Sequence, residues 1–272
     1  MGKMGSVAVD GTYLEDIVAW HRNRAAKDPR SRKDLRNAAL KSVAAPSFGD
    51  ALKSSDGVSL IAECKRRSPS RGDLAPIADP VALGVAYQSG GAAAVSVLTD
   101  AEFFLGSLND LSAITSELTI PCLRKDFTVD VIDLYDAKLN GAAAVLLIVA
   151  ALTESELATF LIEAREIGLC ALVETHSEAE IELANEVGAD IIGVNQRNLG
   201  DFSIDTELGE KLVALIDITR TKVLESGIVE PQQVRQAAHA GFDAVLIGEA
   251  LIRQASVVEA TSGFVLAGKL RA

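Results

Sequence analysis

Charged side chains stand at the ends of the apolar runs that the sequence predicts as strands. Glu63 and Lys65 lie two residues apart in VSLIAECK, Lys125 closes IPCLRK, and Glu174 follows LCALV. Because side chains two apart on a strand point to the same face, Glu63 and Lys65 share one face. An ion pair buried for structure alone loses in desolvation roughly what it gains in attraction. The pattern therefore indicates a catalytic role. A lysine in such a place can act as a general acid or form a Schiff base, and a buried glutamate can act as a general base.

Two more predicted strands end in polar groups. Glu225 follows TKVL, and Asn195 follows IIGV as a neutral donor and acceptor. A single charged residue at the end of a strand is ordinarily a solvated surface group. Five ionisable groups, all at the carboxyl ends of predicted strands, are not explained in this way. If these strands are parallel, the groups converge on one mouth, which predicts an active site there.

The elements that must position these groups form eight strand–helix units. Four strands follow a glycine, and their runs begin at Gly90, Gly141, Gly188 and Gly241; four others lie between them, about 25 residues apart. The intervening TESELATFLIEAREIG and SEAEIELANEVG have helical apolar spacing and open with Thr or Ser as N-caps. Continuous apolar strands alternating with helices require a parallel sheet covered by helices. Eight units favour a closed (β/α)8 TIM barrel over an open doubly wound sheet.

An N-terminal helical extension precedes the first strand. We expect residues 1–272 to form a single (β/α)8-barrel domain, with residues 1–56 as this extension. Thr12 and Glu15 have the spacing of a capping box before a helix that carries Trp20 and His21. Such a helix can plug the bottom of the barrel or cover its mouth, and the sequence does not choose between these roles.

The last two strands predict a phosphate site. They end in ESG, with Ser226 and Gly227, and in IGEA, with Gly248 and Glu249. Glycine lets backbone N–H groups approach an anion, and barrels commonly bind phosphate with the loops after strands seven and eight. One such turn is weak evidence, whereas two after these particular strands are stronger.

Composition excludes several classes of function. A net charge of −12 repels nucleic acid and anionic membranes. The cysteines, Cys64, Cys122 and Cys170, are widely spaced without clustered histidines, which predicts reduced thiols and no metal site. With no apolar run of about 18 residues and no signal-peptide pattern, we expect a cytoplasmic protein.

The motifs together resemble the indole-3-glycerol phosphate synthase family over nearly the whole chain. The family's first-strand signature appears as AECKRRSPSRG, and SVLTDAEFFLGSL, LRKDF, LLIVAAL, LVETH, IGVNQRNL, LESGI and LIGEAL follow in order. The resemblance implies a cofactor-free carboxy-lyase of tryptophan biosynthesis. Its substrate would be 1-(o-carboxyphenylamino)-1-deoxyribulose 5-phosphate, which closes to an indole with loss of carbon dioxide and water.

Roles for individual residues follow from this resemblance alone. Lys125 would protonate the substrate carbonyl as the aromatic carbon attacks it, and Glu174 would be the base of the dehydration. Lys65 would face the anthranilate carboxylate or donate a proton, with Glu63 orienting it. The remaining positions are listed by role: Asn195 and Glu225 catalytic; Ser68, Phe127, Leu146, Arg197, Leu199 and Ser226 substrate-binding; Ser68, Gly227, Gly248 and Glu249 phosphate-binding. Asn198 replaces the family's usual aspartate, which puts one contact of Arg197 in doubt.

Two alternatives stay open at this point. A Schiff-base aldolase or another sugar-phosphate isomerase can use the same barrel, since fold does not determine function. A phosphate-binding barrel without catalysis is the other, although the converging ionisable groups disfavour it. We expect a phosphorylated small molecule as the ligand, a monomeric chain, and no nucleic-acid or membrane partner. Whether another enzyme of the pathway docks on the barrel stays open.

Overall fold

The computed structural model describes residues 13–53, 57–68, 72–73, 77 and 79–269. Its strands are β1 (Ser59–Cys64), β2 (Arg67–Ser68), β3 (Gly72–Asp73), β4 (Ala94–Leu98), β5 (Cys122–Lys125), β6 (Ala144–Ile148), β7 (Cys170–Thr175), β8 (Ile191–Asn195), β9 (Thr221–Glu225) and β10 (Ala244–Ile247). Its α-helices are α1 (Tyr13–Ala26), α2 (Arg32–Lys41), α3 (Phe48–Leu52), α4 (Pro80–Ser89), α5 (Leu108–Glu117), α6 (Val131–Leu139), α7 (Glu154–Glu166), α8 (Glu178–Glu186), α9 (Leu208–Leu212), α10 (Pro231–Ala240), α11 (Glu249–Ile252) and α12 (Val257–Gly268).

Eight parallel strands form a closed barrel in the order β1-β10-β9-β8-β7-β6-β5-β4. The short strands β2 and β3 pair antiparallel outside it, directly after β1. The predicted (β/α)8 TIM barrel is therefore confirmed. In the register of neighbouring strands, Asn195 pairs with Glu225 and Ile148 pairs with Glu174, which brings the polar strand ends to one level.

The strands separate two apolar layers because their side chains alternate. Ile61, Leu123, Leu172 and Val223 pack with each other inside the barrel. The alternate residues of the strands, including Ala62 and Cys64 of β1, pack outward against the helices. Glu63 therefore shares the inner face with Ile61, as its position two residues away requires.

The helices begin where the sequence predicts. Thr153 caps α7 in a capping box with Glu156, and Ser177 caps α8 by accepting the Glu180 N–H. Thr12, the predicted cap of α1, lies outside the described residues, and α1 begins at Tyr13. Among the described helices, none is long and apolar enough to cross a membrane.

The extension serves both ends of the barrel with different helices. Phe48 and Leu52 of α3 are fully buried in the interior layer, and Ala51 O accepts a hydrogen bond from Ser59 at the start of β1. This places α3 at the bottom. In contrast, α1 contacts the loops that follow strands: His21 lies 2.8 Å from Asp100, and the Tyr13 and Phe202 rings are 4.8 Å apart. The helix that carries Trp20 and His21 therefore lies at the mouth, and a separate helix of the extension closes the bottom.

Ion pairs hold the extension to the outside of the barrel. Arg30 pairs with Asp136 of α6 at 2.7 Å, and Arg22 pairs with Glu156 of α7 at 2.6 Å. Pairs as exposed as these contribute little singly, but several along one segment restrict where it lies. Cys64 and Cys122 are buried, whereas Cys170 at the start of β7 is only half-buried.

Candidate active site

A cavity of about 1130 Å³, including its open mouth, lies at the carboxyl ends of the barrel strands. This volume accommodates a small phosphorylated ligand with one aromatic ring. Fourteen of the sequence-predicted site residues line it: Glu63, Lys65, Lys125, Phe127, Leu146, Glu174, Asn195, Arg197, Leu199, Glu225, Ser226, Gly227, Gly248 and Glu249. The side chain of Ser68, the remaining predicted residue, lies outside the described part of the structure.

Lys125 is held between two carboxyl groups at the centre of the cavity floor. Its Nζ donates to Glu174 Oε2 at 2.6 Å and to Glu225 Oε2 at 3.0 Å. Both glutamates are at most 3% exposed, while Lys125 is 14% exposed. The three side chains come from the ends of β5, β7 and β9, so the rigid barrel sets their separation.

The cluster contains more potential negative than positive charge, and its protonation differs between the two acids. Burial lowers the pKa of Lys125, but the two carboxylates outweigh burial and the net pKa is raised. Burial opposes ionisation of Glu174, yet Lys125 and Asn195 lower its pKa. Burial raises the pKa of Glu225 to about 8, with only partial relief from Lys125. Glu174 is therefore the ionised partner, and Glu225 retains a proton near neutral pH.

Gly193 makes room for Glu225. A Cβ at Gly193 would stand 2.3 Å from Glu225 Oε1, so any other residue there would displace this carboxyl group. The same oxygen is buried and has no hydrogen-bond partner among the described residues. Sequence reasoning missed Gly193, although a glycine pointing inward from a barrel strand is the signal that could have found it.

Asn195 links the cluster to Arg197. Its Nδ2 donates to Glu174 Oε1 at 3.0 Å, and its Oδ1 accepts the Arg197 N–H at 3.0 Å. The Arg197 guanidinium donates to Phe202 O at 3.1 Å. Asn198, where an aspartate was expected, accepts the Gly200 N–H at 2.7 Å and so stabilises the loop.

The second lysine lies across the cavity. Lys65 forms a close ion pair with Glu63 and is 20% exposed. Glu63 in turn lies against the end of β10, since a Cβ at Gly248 would stand 2.7 Å from Glu63 Oε1. Gly248 thus leaves room for the Glu63 side chain. The sequence predicted Gly248 only as a phosphate contact and did not reveal this second requirement for glycine. Replacing Gly248 by valine would disturb Glu63 together with any anion site.

The turn after β9 carries unusual backbone. Ser226 and Gly227 have φ values of 66° and 79°, in the left-handed region. For serine this conformation is unfavourable and has to be enforced by its surroundings. The buried Gln196 side chain donates to Ser226 O at 2.9 Å and supports the turn. Gln196 therefore has a role that its position as a neighbour of Asn195 did not suggest.

Aromatic side chains form the wall next to α1. Phe127, Leu146 and Leu199, which were predicted to bind substrate, line the cavity together with Phe104 and Phe202. The Phe104 and Phe127 rings are 6.0 Å apart. The two additional phenylalanines lie in the loops after β4 and β8, where no periodicity marks them, although their aromatic character inside polar loops was a usable signal.

The fold and the site define a (β/α)8-barrel enzyme with acid–base groups at its mouth. The family model for indole-3-glycerol phosphate synthase matches residues 14–264, and the chain belongs to this family. An indole-3-glycerol phosphate synthase of Nocardioides sp. is 47% identical over 89% of this chain and 94% of its own length. That of Beutenbergia cavernae is 41% identical over 94% of this chain and 96% of its own length.

Solved structures share the fold at lower identity. Thiamine phosphate pyrophosphorylase from Pyrococcus furiosus superposes with a TM-score of 0.60 at 17% identity, covering 81% of this chain and 97% of its own. N-acetylmannosamine-6-phosphate 2-epimerase from Clostridium perfringens gives 0.57 at 18%, covering 75% and 90%. At this identity the likeness concerns the barrel alone.

Proposed function

We propose that this chain converts 1-(o-carboxyphenylamino)-1-deoxyribulose 5-phosphate to indole-3-glycerol phosphate, with Lys125 as the general acid of ring closure. The observation that carries the proposal is the position of Lys125 Nζ, 2.6 Å from Glu174 and 3.0 Å from Glu225 at the cavity floor. A charged lysine there meets a ligand carbonyl with a proton to donate, and the carboxyl groups of Glu174 and Glu225 hold it in place.

Ring closure joins the aromatic carbon that bears the carboxylate to the ketone carbon of the sugar chain. The carbonyl oxygen gains negative charge as the bond forms and takes a proton from Lys125. Loss of carbon dioxide then returns the electron pair of the carboxylate bond to the ring. The apolar wall of Phe127, Leu146 and Leu199 favours the aromatic ring and excludes water from this step.

Dehydration completes the indole. The hydroxyl formed in ring closure leaves as water after protonation, and a proton is lost from the adjacent carbon that is bonded to nitrogen. Glu174 is the base for this proton, because its pKa is lowered and its carboxylate is ionised. Glu225, which retains a proton near neutral pH, is proposed to restore the proton of Lys125 or to protonate the leaving hydroxyl.

The anionic ends of the substrate require separate contacts. The backbone at Gly227, Gly248 and Glu249, with Ser68, is proposed for the phosphate, and Ser226 lies beside it. Lys65, paired with Glu63 near Gly248, is proposed to exchange this pairing for a substrate anion. Arg197, held by Asn195 and Phe202, is proposed to contact the ligand from the opposite loop.

The proposal includes no cofactor or metal, a cytoplasmic location and a monomeric chain. The acid and base are supplied by Lys125, Glu174 and Glu225, so the reaction balances without an oxidant or a Lewis acid. We expect a strong chelator to leave the rate unchanged, and loss of activity that one divalent ion restores would contradict this part.

A fluorescence assay of the indole product, with carbon dioxide measured in parallel, tests the activity. The expected result is one carbon dioxide released for each indole formed. Borohydride added during turnover separates the alternative reactions, because a Schiff-base aldolase would leave a reduced adduct on Lys125 or Lys65. A substrate-dependent adduct without indole would favour the aldolase and contradict the proposal.

A further inference from the structure

His21 is a buried polar residue of α1 that the proposed chemistry does not use. It is 1% exposed, and its Nε2 lies 2.8 Å from Asp100 Oδ2 and 3.9 Å from Asp126 Oδ1. Burying an imidazole and two carboxyl groups is costly unless they pair with each other. The residue therefore holds α1 to two loops at the mouth of the barrel, those after β4 and β5.

The two aspartates also hold the aromatic wall of the cavity. Asp100 Oδ1 accepts the N–H groups of Phe103 and Phe104, at 2.5 and 2.9 Å. Asp126 Oδ1 accepts the Phe127 N–H at 2.8 Å. Phe104 and Phe127 line the cavity, so the carboxyl groups that His21 contacts determine where both rings lie.

The imidazole ring also packs directly on this wall. Its centroid is 5.5 Å from that of Phe127 and 6.5 Å from that of Phe103. The ring of Trp20 lies edge-on to the imidazole at 4.9 Å. Phe127 thus has His21 behind it and the ligand space in front of it, which makes its orientation sensitive to His21.

A metal ion is the other occupant that these groups suggest. One ligand atom from each of His21, Asp100 and Asp126 lies within 4.8 Å of the others. However, Asp126 Oδ2 already accepts from the fully buried Arg124 at 2.8 Å and from Thr99 at 2.5 Å. A second cation beside Arg124 would meet its charge in a dry environment. The arrangement therefore fits histidine as the partner of Asp100 better than it fits a metal.

We propose that His21 is a positioning residue, which orients Phe104 and Phe127 for the aromatic ring of the substrate by holding α1 to Asp100. This inference rests on the proposed function. Because the ring contacts the wall in the ground state and in the transition state alike, loss of His21 raises KM more than it lowers kcat.

The chain offers a built-in spectroscopic reporter. Trp20 is its sole tryptophan, adjoins His21 and is 38% exposed. If the Asp100 contact is lost, α1 moves away from Phe103, and the indole of Trp20 enters a more aqueous environment. The emission of Trp20 then shifts to longer wavelength, a change that needs no turnover to be measured.

The test compares His21→Leu and His21→Gln with the wild type and with His239→Gln, a control on the outer face of α10. We expect His21→Leu to raise KM about tenfold, with kcat changed less than about threefold, and to shift the Trp20 emission. His21→Gln retains an N–H donor toward Asp100, so its KM stays within about threefold of the wild type. His239→Gln leaves KM, kcat and the emission unchanged.

Three results would overturn the inference. His21→Leu with a wild-type KM and emission shows that α1 does not depend on this contact. His21→Gln as impaired as His21→Leu shows that the donor to Asp100 is not what matters, and this comparison also serves if His21→Leu does not fold. If a chelator abolishes the activity of the wild type and His21→Leu is inactive as well, the cluster of His21, Asp100 and Asp126 binds a metal. A wild type without turnover contradicts the proposed function instead, while the emission of the variants still decides the position of α1.

Discussion

Two lysines of the same cavity have different surroundings. Lys125 ends a barrel strand and touches two buried carboxyl groups, whereas Lys65 follows the end of β1 and pairs with Glu63. In the first case potential negative charge exceeds positive charge, and a proton remains on Glu225. Around Lys65, the negative charge of Glu63 balances the positive charge of the lysine. From this difference we propose that Lys125 belongs to a proton-transfer unit and that Lys65 belongs to an ion pair that a substrate anion can open.

The largest expected effect is that of Lys125→Met. Removing the general acid should lower kcat by about a thousandfold, with KM changed much less, because the proton is transferred only in the transition state. Steady-state indole fluorescence and circular dichroism on the same sample measure rate and folding. Equal losses from Lys125→Met and Lys65→Met would remove the distinction between the two lysines.

Glu174→Gln should lower kcat by about a hundredfold and change the product mixture. Without the base, ring closure and decarboxylation still proceed, so a ring-closed species that retains the hydroxyl should accumulate. Rapid quenching with mass spectrometry detects this species as product plus one water. Its absence, with unreacted substrate remaining instead, would assign Glu174 to an earlier step.

Lys65→Met should act mainly on binding. Its loss leaves one substrate anion without a charged partner, and we expect KM to rise about tenfold with a smaller change in kcat. Inorganic phosphate as a competitive inhibitor distinguishes the two ends of the substrate. If the phosphate inhibition constant rises together with KM, Lys65 faces the phosphate; if it stays constant, Lys65 faces the carboxylate.

The smallest effect concerns stability and pH. The folded-state pKa of Glu225 is about 8, above the ordinary value of 4.5, so the folded chain binds a proton that the unfolded chain releases between these values. The stabilisation is complete below about pH 4.5 and is lost as the pH rises through about 8. Urea unfolding should show the wild type losing on the order of 2 to 3 kcal/mol from about pH 6 to about pH 9 relative to Glu225→Gln. Glu186→Gln, on the exposed face of α8, should keep the wild-type slope.

Much of the barrel and its mouth was predictable because both follow from periodicity. Alternation along a strand puts Glu63 inside and Cys64 outside, and parallel strands bring Lys125 and Glu225 to the same end. These inferences need only the direction of each strand. The same reasoning identified the helix caps Thr153 and Ser177.

Contacts that depend on loops and on the extension were not predictable. Phe202 reaches the cavity through a loop with a positive φ of 62°, which no periodicity reveals. His21 meets Asp100 across 79 residues of sequence. The choice between lid and plug depended on where α1 and α3 pack, and that is decided by tertiary contacts such as those of Phe48 rather than by local pattern.

The central claim is that Lys125 supplies the proton for ring closure, and a single-turnover experiment tests it most directly. Wild type, Lys65→Met and Lys125→Met, each in excess over substrate carrying an isotopic label in its carboxylate, would be quenched over time and analysed for labelled carbon dioxide and indole. The account predicts one carbon dioxide and one indole per substrate for the wild type and for Lys65→Met once saturated. For Lys125→Met, substrate is expected to stay bound and unreacted for about a thousandfold longer. Release of carbon dioxide by Lys125→Met at more than about a tenth of the wild-type rate would contradict it.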